Sequence, residues 1–156
     1  MCKRDELEIT RHDGSWVKLY WRTPSGKKTA LIGELGSDVA DDHVVTYLAR
    51  LRGRVIGAFR VSLGFYNPPG AEGAPETTVY ACGTLVKRRY WRMGVATKLW
   101  EAVLACEKPD RVAVTVVSDT GKTFVRSMER KHSEINWCAD EGGNRFLRVL
   151  VKGRAA

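Results

Sequence analysis

No stretch of this 156-residue chain stays apolar long enough to span a bilayer, which excludes a helical membrane protein. The N-terminal Met1-Cys2-Lys3-Arg4-Asp5-Glu6 carries charge with no apolar stretch behind it, unlike a secretory signal, so a cytoplasmic address is expected. Metal-ligating residues are scarce. There are four cysteines, three histidines and no CxxC pair, so a structural zinc has no ligand set and no metal is expected. Cys82, Cys106 and Cys138 lie in apolar segments, where a reduced cysteine behaves as a small hydrophobe, and they read as buried free thiols. Negative charge is also short: 18 Asp and Glu against 26 Lys and Arg leave a net charge of +8. That surplus suits an anionic partner (nucleic acid, an acidic protein or a phosphorylated cofactor), although a solvated basic surface would look the same.

What is present is ordinary globular material. Hydrophobic residues make up 44% and charged residues 28%, and residues 1–156 read as a single domain without internal repeats. Leu7 to Thr10 and Trp16 to Trp21 are β-prone, and Asp13-Gly14 between them signals a hairpin. Thr23 to Asp42 is polar and glycine-bearing, a long connection that can serve as a substrate-side lid. Val44 to Leu51 and Val55 to Phe65 flank Arg52-Gly53-Arg54 and read as a second hairpin. The alternation in the latter run predicts a half-buried strand. A proline- and glycine-rich loop follows, then a strand over Thr77 to Val86. Val95, Leu99 and Val103, with Trp100 and Leu104 beside them, predict an amphipathic helix to Cys106, ended by Pro109. The β-branched run Arg111 to Val117 predicts a strand covered on both faces. A short helix over Thr123 to Lys131 and a closing hairpin, Ile135 to Cys138 with Arg145 to Val151, complete the order. The fold class is therefore α/β (α+β), a mixed sheet with helices packed against it.

The informative segment is Leu85-Val86-Lys87-Arg88-Arg89-Tyr90-Trp91-Arg92-Met93-Gly94-Val95-Ala96-Thr97-Lys98. It places a strand end, a basic turn and a glycine directly before the amphipathic helix. The first amides of a helix have no intrahelical partner, and the helix dipole adds positive potential there. Gly94 removes a side chain where an anion must come close, and Ala96 keeps the neighbouring position small. A diphosphate can therefore sit on backbone between Trp91 and Thr97, with Lys87, Arg88, Arg89, Arg92 and Lys98 adding long-range attraction. A tight strand-to-helix turn with solvated arginines would have the same sequence.

This segment resembles the acyl-CoA signature of the GNAT superfamily of N-acetyltransferases, R/Q-x-x-G-x-G/A after a strand ending in V-x-P-x-Y. Val86, Tyr90 and Gly94-Val95-Ala96 match, whereas Trp91 stands for the usual Arg or Gln and Arg88 for the proline. The weaker resemblance in element order runs from Val44 to Val151. It implies a largely antiparallel central sheet, splayed between the fourth strand (Thr77 to Val86) and the fifth (Arg111 to Val117). It also implies acetyl-CoA as donor, its pantetheine pairing with backbone near Gly83 to Val86. Leu85, Val86, Lys87, Trp91, Arg92, Met93, Gly94, Val95, Ala96, Thr97 and Ser118 are the implied cofactor-binding positions.

Transfer to an amine needs a neutral nitrogen, a polarised thioester carbonyl and a proton for the departing thiolate. The family's tyrosine acid lies in a pattern like N-x-x-A-x-x-x-Y. Here Ser118, Gly121 and Val125 take the Asn, Ala and Tyr positions, so that acid is missing. Ser127 and Tyr80 are candidate proton donors and Glu76 a candidate base, each also readable as a structural residue. Cys82 has no histidine near it in sequence, which argues against an acyl-cysteine route. The expected function is acetyl transfer from acetyl-CoA to an amine by direct attack, with no metal. The acceptor stays open between a protein amine, aminoacyl-tRNA and a small molecule, and the assembly between monomer and homodimer. The alternative is a catalytically degenerate relative that binds acyl-CoA, nucleic acid or a protein without turnover. Lys87 to Arg92, with Tyr90 and Trp91 interleaved, is the motif a nucleic-acid partner would use.

Overall fold

The computed structural model describes residues 6–13, 20–22, 28–30, 44–66, 73–115 and 119–140. Within them the chain runs β1 (Leu7–Asp13), β2 (Tyr20–Arg22), β3 (Lys28–Ala30), β4 (Val44–Leu51), β5 (Arg54–Tyr66) and β6 (Glu76–Val86). A 3-10 turn (Arg88–Tyr90), α1 (Val95–Glu107), β7 (Arg111–Thr115), α2 (Asp119–Lys131) and β8 (Asn136–Asp140) follow. One sheet has the order β1-β4-β5-β6-β7-β8, and β2 pairs with β3 in a separate ribbon. The sheet is mixed: β1, β4 and β5 pair antiparallel, whereas β6, β7 and β8 pair parallel. The chain forms two compact units, one of Met1–Ser62 with Cys82–Cys106, the other of Leu63–Ala81 with Glu107–Ala156.

In the first unit the expected β4–β5 hairpin forms, turning through Arg52 and Gly53, both with positive φ. The expected Asp13-Gly14 hairpin falls on residues 14–19, which lie outside the described residues. β1 pairs with β4, from Leu7 opposite Leu51 to Asp13 opposite Val45, and β2 pairs with β3. A strand buried from Val44 through Ala49 needs a partner along each edge to satisfy its backbone. A departure from expectation concerns β5. Every residue from Ile56 to Ser62 is buried, so the middle of the strand is covered on both faces rather than one. Helix α1 accounts for one face: Phe59 stacks on Trp100 with ring centroids 4.5 Å apart. At Gly57 an added Cβ would stand 3.1 Å from Val95 Cγ1 and 3.2 Å from the Leu85 carbonyl oxygen.

The buried stripe of α1 is the one the spacing predicts, Val95, Leu99, Trp100, Val103 and Leu104. Trp100 donates its indole N–H to Thr84 Oγ1 at 2.8 Å, so its polar atom is satisfied. Cys106 is exposed rather than buried, because it lies in the last turn, past Leu104, where the stripe ends. Cys82 is half-buried.

In the second unit β6 pairs with β7 from Thr78–Arg111 to Ala81–Val114, and β7 pairs with β8 from Arg111–Asn136 to Thr115–Asp140. Asp110 aligns these strand starts. Its carboxylate accepts from the Thr77 amide and hydroxyl, both at 3.0 Å. Its amide donates to the Thr77 carbonyl at 2.9 Å, and its carbonyl accepts from the Asn136 amide at 3.0 Å. Helix α2 begins at Asp119, four residues before the expected start. Gly121 masks this first turn by propensity, but Asp119 there and Arg130 and Lys131 in the last turn suit the helix dipole. Val116 to Ser118 and the expected Arg145–Val151 strand lie outside the described residues.

Candidate functional site

The predicted anion site lies wholly within the first unit, and its backbone is firmly bonded. Where β6 ends, the Lys87 amide donates to the Ile56 carbonyl at 2.8 Å. The Tyr90 amide donates to Lys87 at 2.8 Å and the Trp91 amide to Arg88 at 3.1 Å. The chain then passes through the left-handed region at Arg92 (φ 64°) and again at Gly94 (φ 77°), which aims it into α1. The first helical bond runs from the Lys98 amide to the Gly94 carbonyl at 3.0 Å. The amides of Val95, Ala96 and Thr97 therefore precede the first i to i−4 bond, as an anion-binding turn requires.

A Cβ added to Gly94 would meet nothing within 4 Å, so the space beside this backbone is open. Arg88, Arg89, Arg92 and Lys98 are exposed around it and Lys87 is half-exposed. Low-lying amides, room for a ligand and a ring of cations fit the diphosphate of a coenzyme A. Of the other expected contacts, Leu85, Val86, Ala96 and Thr97 are half-buried, Val95 is buried, and Trp91 and Met93 are exposed. Ser118 lies outside the described residues.

Two features of this turn were not visible in the sequence. Trp91, which stands where the resemblance expects Arg or Gln, donates its indole N–H to the Val86 carbonyl at 2.7 Å. Arg92 adopts a backbone conformation that a glycine or asparagine would signal and an arginine does not.

The candidate catalytic residues lie in the second unit. Arg111 is fully buried; its Nε donates to Glu76 Oε2 at 2.9 Å, and its Nη2 lies 2.8 Å from the same oxygen. Glu76 is thus engaged by a guanidinium rather than free to take a proton. Arg111 also donates to the Cys138 sulfur and lies over the Tyr66 ring, 4.3 Å from its centroid. Tyr66 and Tyr80 pack against buried Ala113 and Cys138. Burial raises the Tyr80 hydroxyl above its ordinary value, only partly opposed by Arg111, so the phenol is protonated at neutral pH. Ser127 is exposed on α2, in a shallow groove with Asp119, Thr120, Thr123 and Phe124. Val125, at the position of the missing tyrosine, is buried.

Sequence reading missed this buried ionic cluster. Its signal was an arginine opening an apolar β-run, a charge that must find a partner if the strand is covered. Cys82 and Cys138 are not activated thiols. Burial raises both Cys82 and Cys138, with Arg60 and Arg111 respectively opposing it. Among the described residues no three His, Cys, Asp or Glu side chains converge on a metal-sized site, and no helix is long and apolar enough to cross a membrane.

The profile of the acetyltransferase (GNAT) family matches residues 14–122. No curated protein matches the chain. Among solved structures, an aminoglycoside acetyltransferase from an uncultured soil metagenomic sample, in complex with trehalose, is 16% identical with a TM-score of 0.50. The match covers 79% of this chain and 87% of that one. The BH1408 protein of Bacillus halodurans, solved as a point variant, is 17% identical over 69% of this chain and 71% of its own, again with a TM-score of 0.50. The aminoglycoside N-acetyltransferase AAC(6')-Iy in complex with CoA is 22% identical with a TM-score of 0.42. That match covers 58% of this chain and 66% of the other, just under two thirds of its length. At these identities the likeness speaks to the fold.

Proposed function

Since the chain belongs to the GNAT acetyltransferase family, we propose that it transfers an acetyl group from acetyl-CoA to an amine. The observation that carries this reading is the open backbone turn at Arg92–Thr97. Its glycine leaves room above low-lying amides, and cations surround it. Acetyl-CoA brings the activated thioester; the protein's part is to hold its diphosphate on the amides of Val95 to Thr97 and to draw it in with Arg88, Arg89 and Arg92. Pantetheine pairs with the backbone of β6 from Gly83 to Leu85, because the Val86 carbonyl is already taken by Trp91. The amine attacks the thioester carbonyl directly, the C–S bond breaks, and the thiolate takes up a proton. Tyr80 suits the donor's part in that last event, since burial keeps its phenol protonated. Glu76 does not suit the base's part while Arg111 holds it, and Cys82 does not suit a covalent route as a neutral thiol.

One observation favours a second reading, a relative that binds the donor without turnover. The family's tyrosine position is filled by a buried valine, Val125. Calorimetric titration with acetyl-CoA, CoA and desulfo-CoA, run beside a thiol-release assay over a panel of amines, separates the two. Binding with amine-dependent thiol release supports the transferase, and binding with no release for any amine supports the degenerate relative. No binding at millimolar ligand overturns both. The acceptor panel should include peptides, aminoacyl-tRNA and aminoglycosides, the last because solved structures of similar fold carry that activity.

A further inference from the structure

Trp91 is exposed on the turn after β6, with 60% of its surface open to solvent. An indole of that size left in water calls for a partner, and its setting limits which. The ring is not loose: its N–H is tied to the Val86 carbonyl at 2.7 Å, and its own amide is tied to Arg88 at 3.1 Å. A platform fixed at both backbone and ring loses little further freedom when a flat ligand settles on it. The guanidinium carbon of Arg88 lies over one face of the ring, 5.8 Å from its centroid, so positive charge stands beside the platform and a flat ligand would take the other face; Arg92 follows in sequence.

We propose that Trp91 is the stacking platform for the purine of the donor's nucleotide end, with Arg88 and Arg92 meeting its ribose phosphate. A π-face with the Arg88 guanidinium over it and Arg92 next in sequence matches a purine carrying a phosphate, and stacking of this kind is indifferent to which purine edge is presented. A single-stranded nucleic acid would need successive platforms along a basic track. This inference rests on the donor-binding reading above and goes beyond it. It gives a role to the residue that departs from the family signature, and it separates nucleotide recognition at Trp91 from diphosphate recognition at the helix amides.

The test compares the unaltered protein with Trp91→Ala, Trp91→Phe and Trp91→Arg by calorimetry. The ligands are CoA, adenosine 3′,5′-bisphosphate, 4′-phosphopantetheine and a short single-stranded oligonucleotide. Circular dichroism and melting temperature check the fold of each variant. The expected result is that Trp91→Ala weakens CoA and the bisphosphate about tenfold, while phosphopantetheine, which has no purine, is unchanged. Trp91→Phe, which stacks but cannot donate to Val86, retains most of the affinity. Equal CoA affinity in all variants overturns the proposal and leaves the donor reading intact. Equal loss for CoA and phosphopantetheine overturns it too, assigning Trp91 to the shape of the turn. A larger loss for the oligonucleotide than for CoA overturns it in favour of nucleic acid. Failure of the unaltered protein to bind CoA removes the donor reading and this inference together.

Discussion

Arginine does opposite things in the turn after β6 and at the start of β7. In the turn after β6, Arg88, Arg89 and Arg92 stand in water, where their charge reaches outward to an anion. In the second unit Arg111 is 0% exposed, and its charge is consumed locally by Glu76, the Cys138 sulfur and the Tyr66 ring. The same side chain is open to an anionic partner in one place and a buried structural member in the other. The difference is whether the guanidinium keeps its hydration. The formal charge of +8 does not come from this pair, because Arg111 and Glu76 cancel in the sum, and the surplus lies with cations elsewhere such as Arg88, Arg89 and Arg92.

The comparison breaks most visibly at Arg111. Arg111→Met should cost about 3–5 kcal/mol in urea denaturation, because it leaves the half-buried Glu76 carboxylate without its partner. The double substitution Arg111→Met with Glu76→Leu should recover much of that loss. If the single substitution proves harmless, the cluster is not the structural member described. Next in size is Gly94→Glu, which should abolish CoA binding by filling the open space and repelling phosphate. Its effect on stability should be smaller, about 1–2 kcal/mol for a side chain in the left-handed region. Retained CoA affinity in a folded Gly94→Glu protein would place the diphosphate elsewhere.

The smallest expected effect is a loss of stability in alkali. Tyr80, Cys82 and Cys138 all have raised values in the folded chain because burial disfavours their anions. Below the thiols' ordinary value of 9.0 both folded and unfolded chains keep these protons. Above it, and again above 10.0 for the phenol, the unfolded chain releases protons that the folded chain retains, so stability falls as pH rises. Melting temperatures measured from pH 7 to 10.5 should decline on the alkaline side, and less so in Cys82→Ala. A flat profile would mean these groups are better solvated than their burial implies.

The contrast between local and distant contacts explains what could be read in advance. The turn and α1 were legible because their signals are local: Gly94 before a helix, basic residues around it, and apolar residues at Val95, Leu99 and Val103. The β4–β5 hairpin was legible for the same reason. The pairing of β1 with β4 was not, since the two strands lie some thirty residues apart and no local signal joins them. Nor was the covered middle of β5, where Arg60 and Ser62 look solvent-facing in sequence but are 1% and 8% exposed. The Glu76–Arg111–Cys138 cluster joins three strands distant in sequence, and no spacing rule connects them. For Trp91, the letter alone announced a departure from a signature. Only the bond to Val86 showed what the indole does there.

Gly57 ties the architecture to the chemistry in a way its place in mid-strand conceals. With no methyl group there, Val95 and Leu99 settle against the β5 backbone, and these residues belong to the opening turns of α1. The depth at which the helix seats is thus set by a hydrogen atom on a different strand. So is the height at which the amides of Val95, Ala96 and Thr97 would meet a phosphate in the proposed site. A single methyl group at Gly57 would press on Val95 at 3.1 Å, shift the helix by about a few tenths of an ångström and so detune that proposed site without replacing any residue that lines it.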